Sequence, residues 1–550
     1  MSSSRSSATS VLSWSGSIER AIDVNDRGFE NELTIDRLRA RGREEEFHRS
    51  YESAYEKALK ELDRRYSNAV GTEQRGSKVG EILDTCPYDT TMVVGRFPKG
   101  SKDDVTDAVR ISTEAFDGWA DMRTDKRSAI FLKAGDEMSR RKFELAAWLT
   151  LENGKNRYES VAEVDEAIDY LRYYPSILSE RQGYDLNLDG PVPCNDTKSV
   201  LRPLGVFGVI PPFNFPIAIT TGMVTGALVT GNAVILKPAS DTPLMGRMLH
   251  DLLIGSGVPP ELFHFIAGPG ETVGAELTSN IGVAALAFTG SREVGTGIIK
   301  ASAALGKRPP IVEMGGKNPT IVSDKADLKK AVQGVASAAF GYSGQKCSAT
   351  SRVIVNRAIS DRFTESICDW LKDKAVGDPS KKGTFIGPLI NAAAVDRFRK
   401  TIASAAKDGQ ILTGGHVLDD EPFDKGFFVE PTIVVHLARN HELVRKELFL
   451  PVLVVLTYGD LEDAIETANS TEYGLTAGIF SEDPNEVQVF FDRIKAGVTY
   501  ANRTVGSTTG ALVGKQPFVG WKSSGVTGKG TGGPYYLLQF LQEQSRTLCR

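Results

Sequence analysis

Residues 205–236 read GVFGVIPPFNFPIAITTGMVTGALVTGNAVIL. Gly205–Pro211 is an apolar, β-rich run, Thr220–Val229 reads as a helix of small residues, and Ala233–Leu236 is a second apolar run. Strand, helix and strand in this order predict a βαβ unit with parallel strands buried on both faces. The pattern extends both ways. Asp103-Asp104-Val105 opens a helix through Phe116, and residues 125–153 read as one or two amphipathic helices. Further strands are expected at Phe263–Ala267 and Ala284–Phe288. Residues 312–325 restart the pattern, with a strand at Pro319–Val322, a helix over Asp327–Phe340 and a strand at Arg352–Asn356. The expected fold is α/β: mostly parallel sheet with helices on both faces, in two units.

The remaining segments differ in composition. Residues 1–18 are Ser-rich and read as a flexible tail, with too little positive charge at Arg5 for a transit peptide. Residues 36–67 carry Arg/Glu runs with Tyr51, Tyr55, Leu59 and Leu62 at helical spacing, a solvated helical arm. Segment 184–202 is polar and holds Pro191 and Pro193, and the last 40 residues are rich in Gly and Thr before a β-like run. Both are expected in a protruding sheet that pairs between subunits.

Composition excludes several classes. The 550 residues are 41% hydrophobic and 25% charged, which supports a packed core. Lys+Arg 65 against Asp+Glu 70 gives a net charge of -5, so nucleic acid is not the expected partner. No run approaches the ~18 apolar residues of a membrane span. The N-terminus lacks an apolar signal core. Cys86, Cys194, Cys347, Cys368 and Cys549 are odd in number and widely spaced, with no CxxC. The reading predicts no disulfide framework, no cysteine zinc site, no metal, and a reducing, cytoplasm-like compartment, the mitochondrial matrix being the alternative.

Five motifs carry chemistry. In Phe340-Gly-Tyr-Ser-Gly-Gln-Lys-Cys347-Ser348 a cysteine follows a Gly-containing turn that exposes the sulfur and lets backbone N–H groups approach a ligand; a reactive cysteine needs that exposure and surroundings that favour thiolate. Read alone, Cys347 is equally a small buried hydrophobe. Glu313-Met-Gly-Gly-Lys317 puts a carboxylate at the end of an apolar run, where desolvation raises its pKa towards general-base use. An ordinary turn Glu fits the same pattern. Pro211-Pro-Phe-Asn214-Phe-Pro216 fixes an Asn amide that suits an oxyanion, or simply a turn. Val234-Ile-Leu-Lys237-Pro-Ala-Ser240 places a lysine at the carboxyl end of a buried strand, where open α/β sheets bind ligands. Phe288-Thr-Gly290-Ser291 ends a strand and opens a helix whose amides can face a phosphate.

Taken in order, with Glu447-Leu-Phe-Leu-Pro451 and Ala468-Asn-Ser-Thr-Glu-Tyr-Gly-Leu475, these motifs resemble the NAD(P)-dependent aldehyde dehydrogenases from about residue 80 onward. The resemblance implies a Rossmann-like cofactor domain (76–183 and 203–311) after an N-terminal tail and arm (1–75). It also implies an α/β catalytic domain (312–503), and a small β oligomerisation element with the substrate-anchor segment (184–202 and 504–550). It implies Cys347 as nucleophile, Glu313 as the base for water, and Asn214 with the Cys347 amide as oxyanion donors. NAD is the implied cofactor, with NADP tolerated. Pro212, Phe213, Lys237, Ser240, Gly270, Gly290, Ser291, Glu447 and Phe449 would bind it. The implied partners are a small aldehyde and further copies of the chain, with no membrane.

Gly-Gln-Lys-Cys-Ser-Ala, Thr509-Gly-Ala-Leu-Val-Gly-Lys-Gln-Pro-Phe518 and Lys529-Gly-Thr-Gly-Gly-Pro534 are similar to the 1-pyrroline-5-carboxylate dehydrogenase subfamily, which oxidises L-glutamate γ-semialdehyde. That resemblance implies substrate contacts from Ser348, Gly510 and Ala511, flanking by Phe213 and Phe518, and approach of Glu166 to the amino group. Three positions depart from the pattern. Leu450 replaces a Gly beside the nicotinamide-ribose contact, and Val519 adds a branched side chain near the substrate mouth. Ser240 stands where many NAD-preferring members have Glu. The alternative is a dehydrogenase of another semialdehyde or a general aldehyde. A CoA-acylating enzyme would not want Glu313, and a non-catalytic paralogue would not keep both Cys347 and Glu313.

Overall fold

The computed structural model describes residues 28–190, 193–194, 196–504 and 512–549; the Ser-rich start and Gly510-Ala511 lie outside them. The opening unit is a βαβ as expected: strand Val206–Ile210, helix Ala218–Val229, strand Ala233–Leu236, the two strands pairing in parallel. All four residues of Ala233–Leu236 are buried, so the run has no polar face to alternate.

Two seven-stranded sheets form the body. The first runs Ile311–Met314, Val283–Gly290, Val206–Ile210, Ala233–Leu236, Phe263–Phe265, Asn68–Val70, Glu73–Arg75. Its first five strands are parallel and its last two join antiparallel. The second runs Gln410–Thr413, Thr432–Val435, Val452–Tyr458, Thr350–Asn356, Asn318–Val322, Thr476–Phe480, Val498–Ala501, parallel except for the Gln410 edge. The first sheet overruns both boundaries read from the sequence. Strands 68–70 and 73–75 belong to it rather than to an arm, and Ile311–Met314 is its edge strand rather than the start of the second unit. Short strands next to charged or Gly-rich stretches gave no periodic signal of which sheet they join.

The arm is two helices, Thr34–Ala40 and Glu44–Leu59; Phe47 and Tyr51 of the second are fully buried against the body. Residues 125–153 form two helices, Thr124–Arg140 and Lys142–Asn153. A third, antiparallel sheet is built from Leu186–Asp189, Asp196–Pro203 and Leu541–Leu548, with eight residue pairs joining the last two strands. It exposes Leu186, Leu188 and Leu548.

At the end of that eight-pair ladder Cys194 and Cys549 form a disulfide across 355 residues of sequence, their Cα atoms 4.0 Å apart. This corrects the expectation of no disulfide. An odd cysteine count excludes full pairing, not one pair, and only strand register shows which two cysteines meet. Unreduced peptide mapping is expected to recover the 194–549 linked pair. Cys549→Ser is expected to lose about 2–4 kcal/mol of stability in chemical denaturation. Recovery of free thiols at both positions would contradict the pairing.

Candidate active site

A cavity of about 490 Å³ opens where the carboxyl ends of the first sheet face the second. This is the position at which open α/β sheets take ligands. Its wall includes Pro212, Phe213 and Asn214 after strand Val206–Ile210, Gly290 and Ser291 after Val283–Gly290, Glu313 of Ile311–Met314, Cys347 and Ser348, Glu447 and Phe449, and Glu166 and Phe518. The structure thus gathers most of the residues singled out in the sequence. Lys237, Ser240 and Gly270 are not among the lining residues; Ala239, between the first two, is. Gly510 and Ala511 lie outside the described residues. Val519 is not in the lining either, and Leu450 is buried in the second core.

The turn that leads into Cys347 is built under constraint. Helix Leu328–Phe340, capped by Asp327, ends at Gly341. Tyr342, Ser343 and Gly344 then take left-handed φ of 49°, 53° and 68°. For the two side-chain-bearing residues this costs ~1–2 kcal/mol each. At Gly344 a Cβ would run into the Leu450 carbonyl, so only glycine fits. Three bonds hold the turn: Tyr342 hydroxyl to Asn153 O (2.9 Å), Ser343 hydroxyl to Gly387 O (2.7 Å), and Ile390 N–H to Gln345 Oε1 (2.9 Å). Asn214 Nδ2 donates to Gln345 O at 3.0 Å, which ties the Asn loop to the same turn.

One helix, Arg157–Glu180, supports both loops from beneath with carboxylates at 159, 163 and 166. Glu159 pairs with Lys346, the residue before Cys347, at 2.7 Å, both ends buried. Glu163 pairs with Lys155 and accepts the Ile217 and Ala218 amides (3.0 and 3.2 Å) at the start of the helix after Asn214. Glu166 reaches the cavity wall. The sequence reading missed Glu159, Glu163 and Lys155. The i, i+4, i+7 spacing of the three acids was visible and marks one helix face.

Burial sets the electrostatics. It pushes the Glu313 carboxyl up to about 8, against one opposing hydrogen bond from the Gly520 backbone, and Glu313 Oε2 has no partner among the described residues. The desolvation expected at Glu313 is therefore present. Burial pushes the Cys347 thiol up to about 12, with the Glu447 and Glu313 carboxylates adding to it. A reactive cysteine needs surroundings that favour thiolate, and these favour the neutral thiol: Cys347 is partly exposed on the cavity wall, with the Glu447 and Glu313 carboxylates acting on it. Glu447 accepts the Gly316 amide at 2.8 Å and is pushed up to about 7 by burial. Any Cβ at Gly315 would collide with its carboxylate. Phe449, at φ 58°, meets the Phe213 ring edge-on at 5.7 Å between centroids.

The features around the cavity suit a dinucleotide. Ser291 caps helix Arg292–Ala304 by accepting the Val294 amide, so that helix's N-terminus points at the cavity where Gly290 leaves the backbone bare. Buried Lys237 bonds only the adjacent Pro238 carbonyl among the described residues, and Gly274 leaves room beside its chain. No group of three His, Cys, Asp or Glu among the described residues could hold a metal ion. No helix among them is long and apolar enough to cross a membrane.

This fold and site belong to one class, and comparison with known proteins agrees: the chain is a member of the aldehyde dehydrogenase family, whose profile matches residues 74–545. Among its relatives is the 1-pyrroline-5-carboxylate dehydrogenase of Geobacillus sp. (strain WCH70), 36% identical over 505 residues, which are 90% of this chain and 95% of the relative. The crystal structure of 1-pyrroline-5-carboxylate dehydrogenase from Thermus with bound NAD matches at a TM-score of 0.86 and 34% identity, over 91% of this chain and 96% of that one. A betaine aldehyde dehydrogenase from Staphylococcus aureus in complex with NAD+ matches at 0.85 and 28%, over 91% and 97%.

The electrostatics yield a direct check on Cys347. In cofactor-free protein, alkylation of Cys347 by iodoacetamide is expected to rise roughly tenfold per pH unit from 7 to 10 without a plateau, as for a thiol titrating above that range. A plateau near pH 8, followed by mass spectrometry of the Cys347 peptide, would show a thiolate instead.

Proposed function

We propose that the protein oxidises L-glutamate γ-semialdehyde to L-glutamate in proline catabolism, with NAD as hydride acceptor. The observation that carries this reading is the single cavity shared by Cys347, Glu313, Asn214 and Glu447. The substrate follows from the 34–36% identity, over nine-tenths of the chain, to relatives named for 1-pyrroline-5-carboxylate.

The residues divide the work as follows. The Cys347 thiol gives its proton to solvent and its sulfur adds to the aldehyde carbon, whose carbonyl electron pair moves onto oxygen. The Asn214 side-chain amide and the Cys347 backbone N–H donate to the oxygen that becomes negative. When bound, NAD supplies the acceptor for the hydride that leaves this carbon, and a thioester remains on Cys347. Glu313 then takes a proton from water; the hydroxide oxygen bonds the acyl carbon, the carbon–sulfur bond breaks with its electron pair on sulfur, the new acid's proton passes to that thiolate, and Glu313 releases its own proton to solvent as the carboxylate product leaves. A base pushed up to about 8 is matched to proton transfer near neutral pH. Glu447 and Phe449 would hold the nicotinamide end, Gly290 and Ser291 the pyrophosphate, and Lys237, Ser240 and Gly270 the adenosine end outside the cavity lining. Ser240 is exposed and lacks a carboxylate to repel a 2′-phosphate, so NADP is tolerated behind NAD. A homo-oligomer held through the third sheet is part of the same proposal, with sedimentation as its test.

Glu313→Gln is expected to leave a burst of about one NADH per site and to slow steady turnover ~10²–10⁴-fold. In the wild type, turnover is expected to rise with pH through about 8, as the raised carboxyl gives up its proton, and Glu313→Gln should lose that limb. Steady turnover near the wild-type rate in the variant would move the base elsewhere.

The substrate is tested by kcat/KM for glutamate semialdehyde, succinic semialdehyde and propanal, with NAD and with NADP. Glutamate semialdehyde with NAD is expected to lead, with measurable NADP turnover. Equal efficiency across the three aldehydes would leave a general aldehyde dehydrogenase, and no NADP turnover would remove the role given to Ser240.

A further inference from the structure

A chain of hydrogen bonds runs along the cavity wall and ends on Glu166. The Tyr170 hydroxyl donates to Glu166 Oε1 at 3.2 Å, from one turn further along helix Arg157–Glu180. The Thr531 hydroxyl donates to Tyr170 Oη at 3.5 Å. Tyr174 Oη lies 3.2 Å from Thr531 Oγ1 and accepts the Gly532 amide at 2.9 Å. A hydroxyl has one proton to give. With the Tyr170 proton on Glu166 and the Thr531 proton on Tyr170, the Tyr174 proton goes to Thr531, so every donor in the chain points towards the carboxyl group.

Glu166, Tyr170 and Thr531 all line the cavity that holds Cys347, and Tyr174 is fully buried behind them. The Tyr174 ring meets those of Tyr170 and Tyr536 at 5.4 and 5.5 Å between centroids. Thr531 comes from the C-terminal segment, 361 positions from Tyr170. There its amide and carbonyl pair with Phe518 at 2.9 and 3.0 Å, and the Gly532 carbonyl accepts the Gly514 amide at 2.8 Å. Burial raises the pKa of Glu166, and the Glu32 and Glu163 charges add to this; Lys155 and the Tyr170 hydrogen bond act the other way. The carboxylate form, which attracts a cation, is therefore favoured by the Tyr170 hydroxyl.

We propose that Tyr170 is a positioning residue that sets a preference for aldehydes carrying an ammonium group: its hydroxyl orients the Glu166 carboxylate on the cavity wall, and Thr531 orients Tyr170 in turn. A carboxylate held at one oxygen presents the other in a defined direction, and an ammonium group donates to it with charge assistance. The role rests on the proposed substrate, whose α-carbon carries an ammonium group. Neither hydroxyl takes part in the chemistry at Cys347.

The test compares glutamate semialdehyde with glutarate semialdehyde, which has the same chain and carboxylate but no amine. The readout is the ratio of their kcat/KM values in wild type, Tyr170→Phe, Thr531→Val, Thr531→Ser and the Tyr170→Phe, Thr531→Val double variant. Tyr170→Phe is expected to lower the ratio roughly tenfold, through KM for glutamate semialdehyde rather than kcat. Thr531→Val is expected to lower it about threefold and Thr531→Ser to keep it. The double variant should fall no further than Tyr170→Phe, because Thr531 acts through the Tyr170 hydroxyl. Thermal melts show which variants fold; if Tyr170→Phe does not, the two Thr531 variants decide the matter. A wild-type ratio near one, an unchanged ratio in folded Tyr170→Phe, an equal fall in Thr531→Ser and Thr531→Val, or multiplying losses in the double variant would overturn the role of Tyr170. A wild type that does not favour glutamate semialdehyde over propanal would instead overturn the substrate on which it rests, so the two failures are told apart.

Discussion

The buried pair between Lys346 and Glu159, 2.7 Å apart, is the contact that ties the turn carrying Cys347 to the rest of the structure. It joins the residue before Cys347 to the helix Arg157–Glu180. Four and seven residues further along, the same helix holds the start of the helix after Asn214 through Glu163 and lines the cavity with Glu166. The Cys347 turn, the Asn214 loop and the Glu166 side of the cavity are thereby fixed to one element. Breaking a buried pair by removing one partner typically costs ~3–5 kcal/mol, because the other charge is stranded, so neither residue can be lost cheaply.

The turn above that pair needs such an anchor. Tyr342 and Ser343 hold left-handed backbone that side-chain-bearing residues seldom adopt, and they keep it only because Asn153, Gly387 and Gln345 hydrogen bonds over-determine it. Desolvation supplies the second constraint. The burial that pushes Glu313 up to about 8 also pushes the Cys347 thiol up to about 12, so the same surroundings favour the neutral form of both groups.

The sequence was most legible where local backbone chemistry carries the function. Prolines around Asn214, the two glycines after Glu313 and the glycine before Cys347 constrain the chain within a few residues, and all three side chains reach the cavity. The central strands were legible because runs such as Ala233–Leu236 are buried on both faces. What failed to show depended on distance in sequence. Lys346 and Glu159 are 187 positions apart, Cys194 and Cys549 are 355 apart, and Thr34 meets Asp165 across 131. Only the packing of sheets and arm brings those partners together. The electrostatic surroundings of Cys347 were not legible for a related reason: Glu447 and Glu313, which act on its thiol, come from other segments.

The central claim is that the acidic face of helix Arg157–Glu180 positions the Cys347 turn through Lys346. A double-mutant cycle on the single-turnover rate of NADH formation tests it most directly, using Glu159→Gln, Lys346→Met and the double variant. The account predicts that each single change slows the step roughly tenfold or more, and that the double variant is no slower than the worse single one, as for two residues acting as one unit. Independent, multiplying losses, or single variants that keep the wild-type rate, would contradict it.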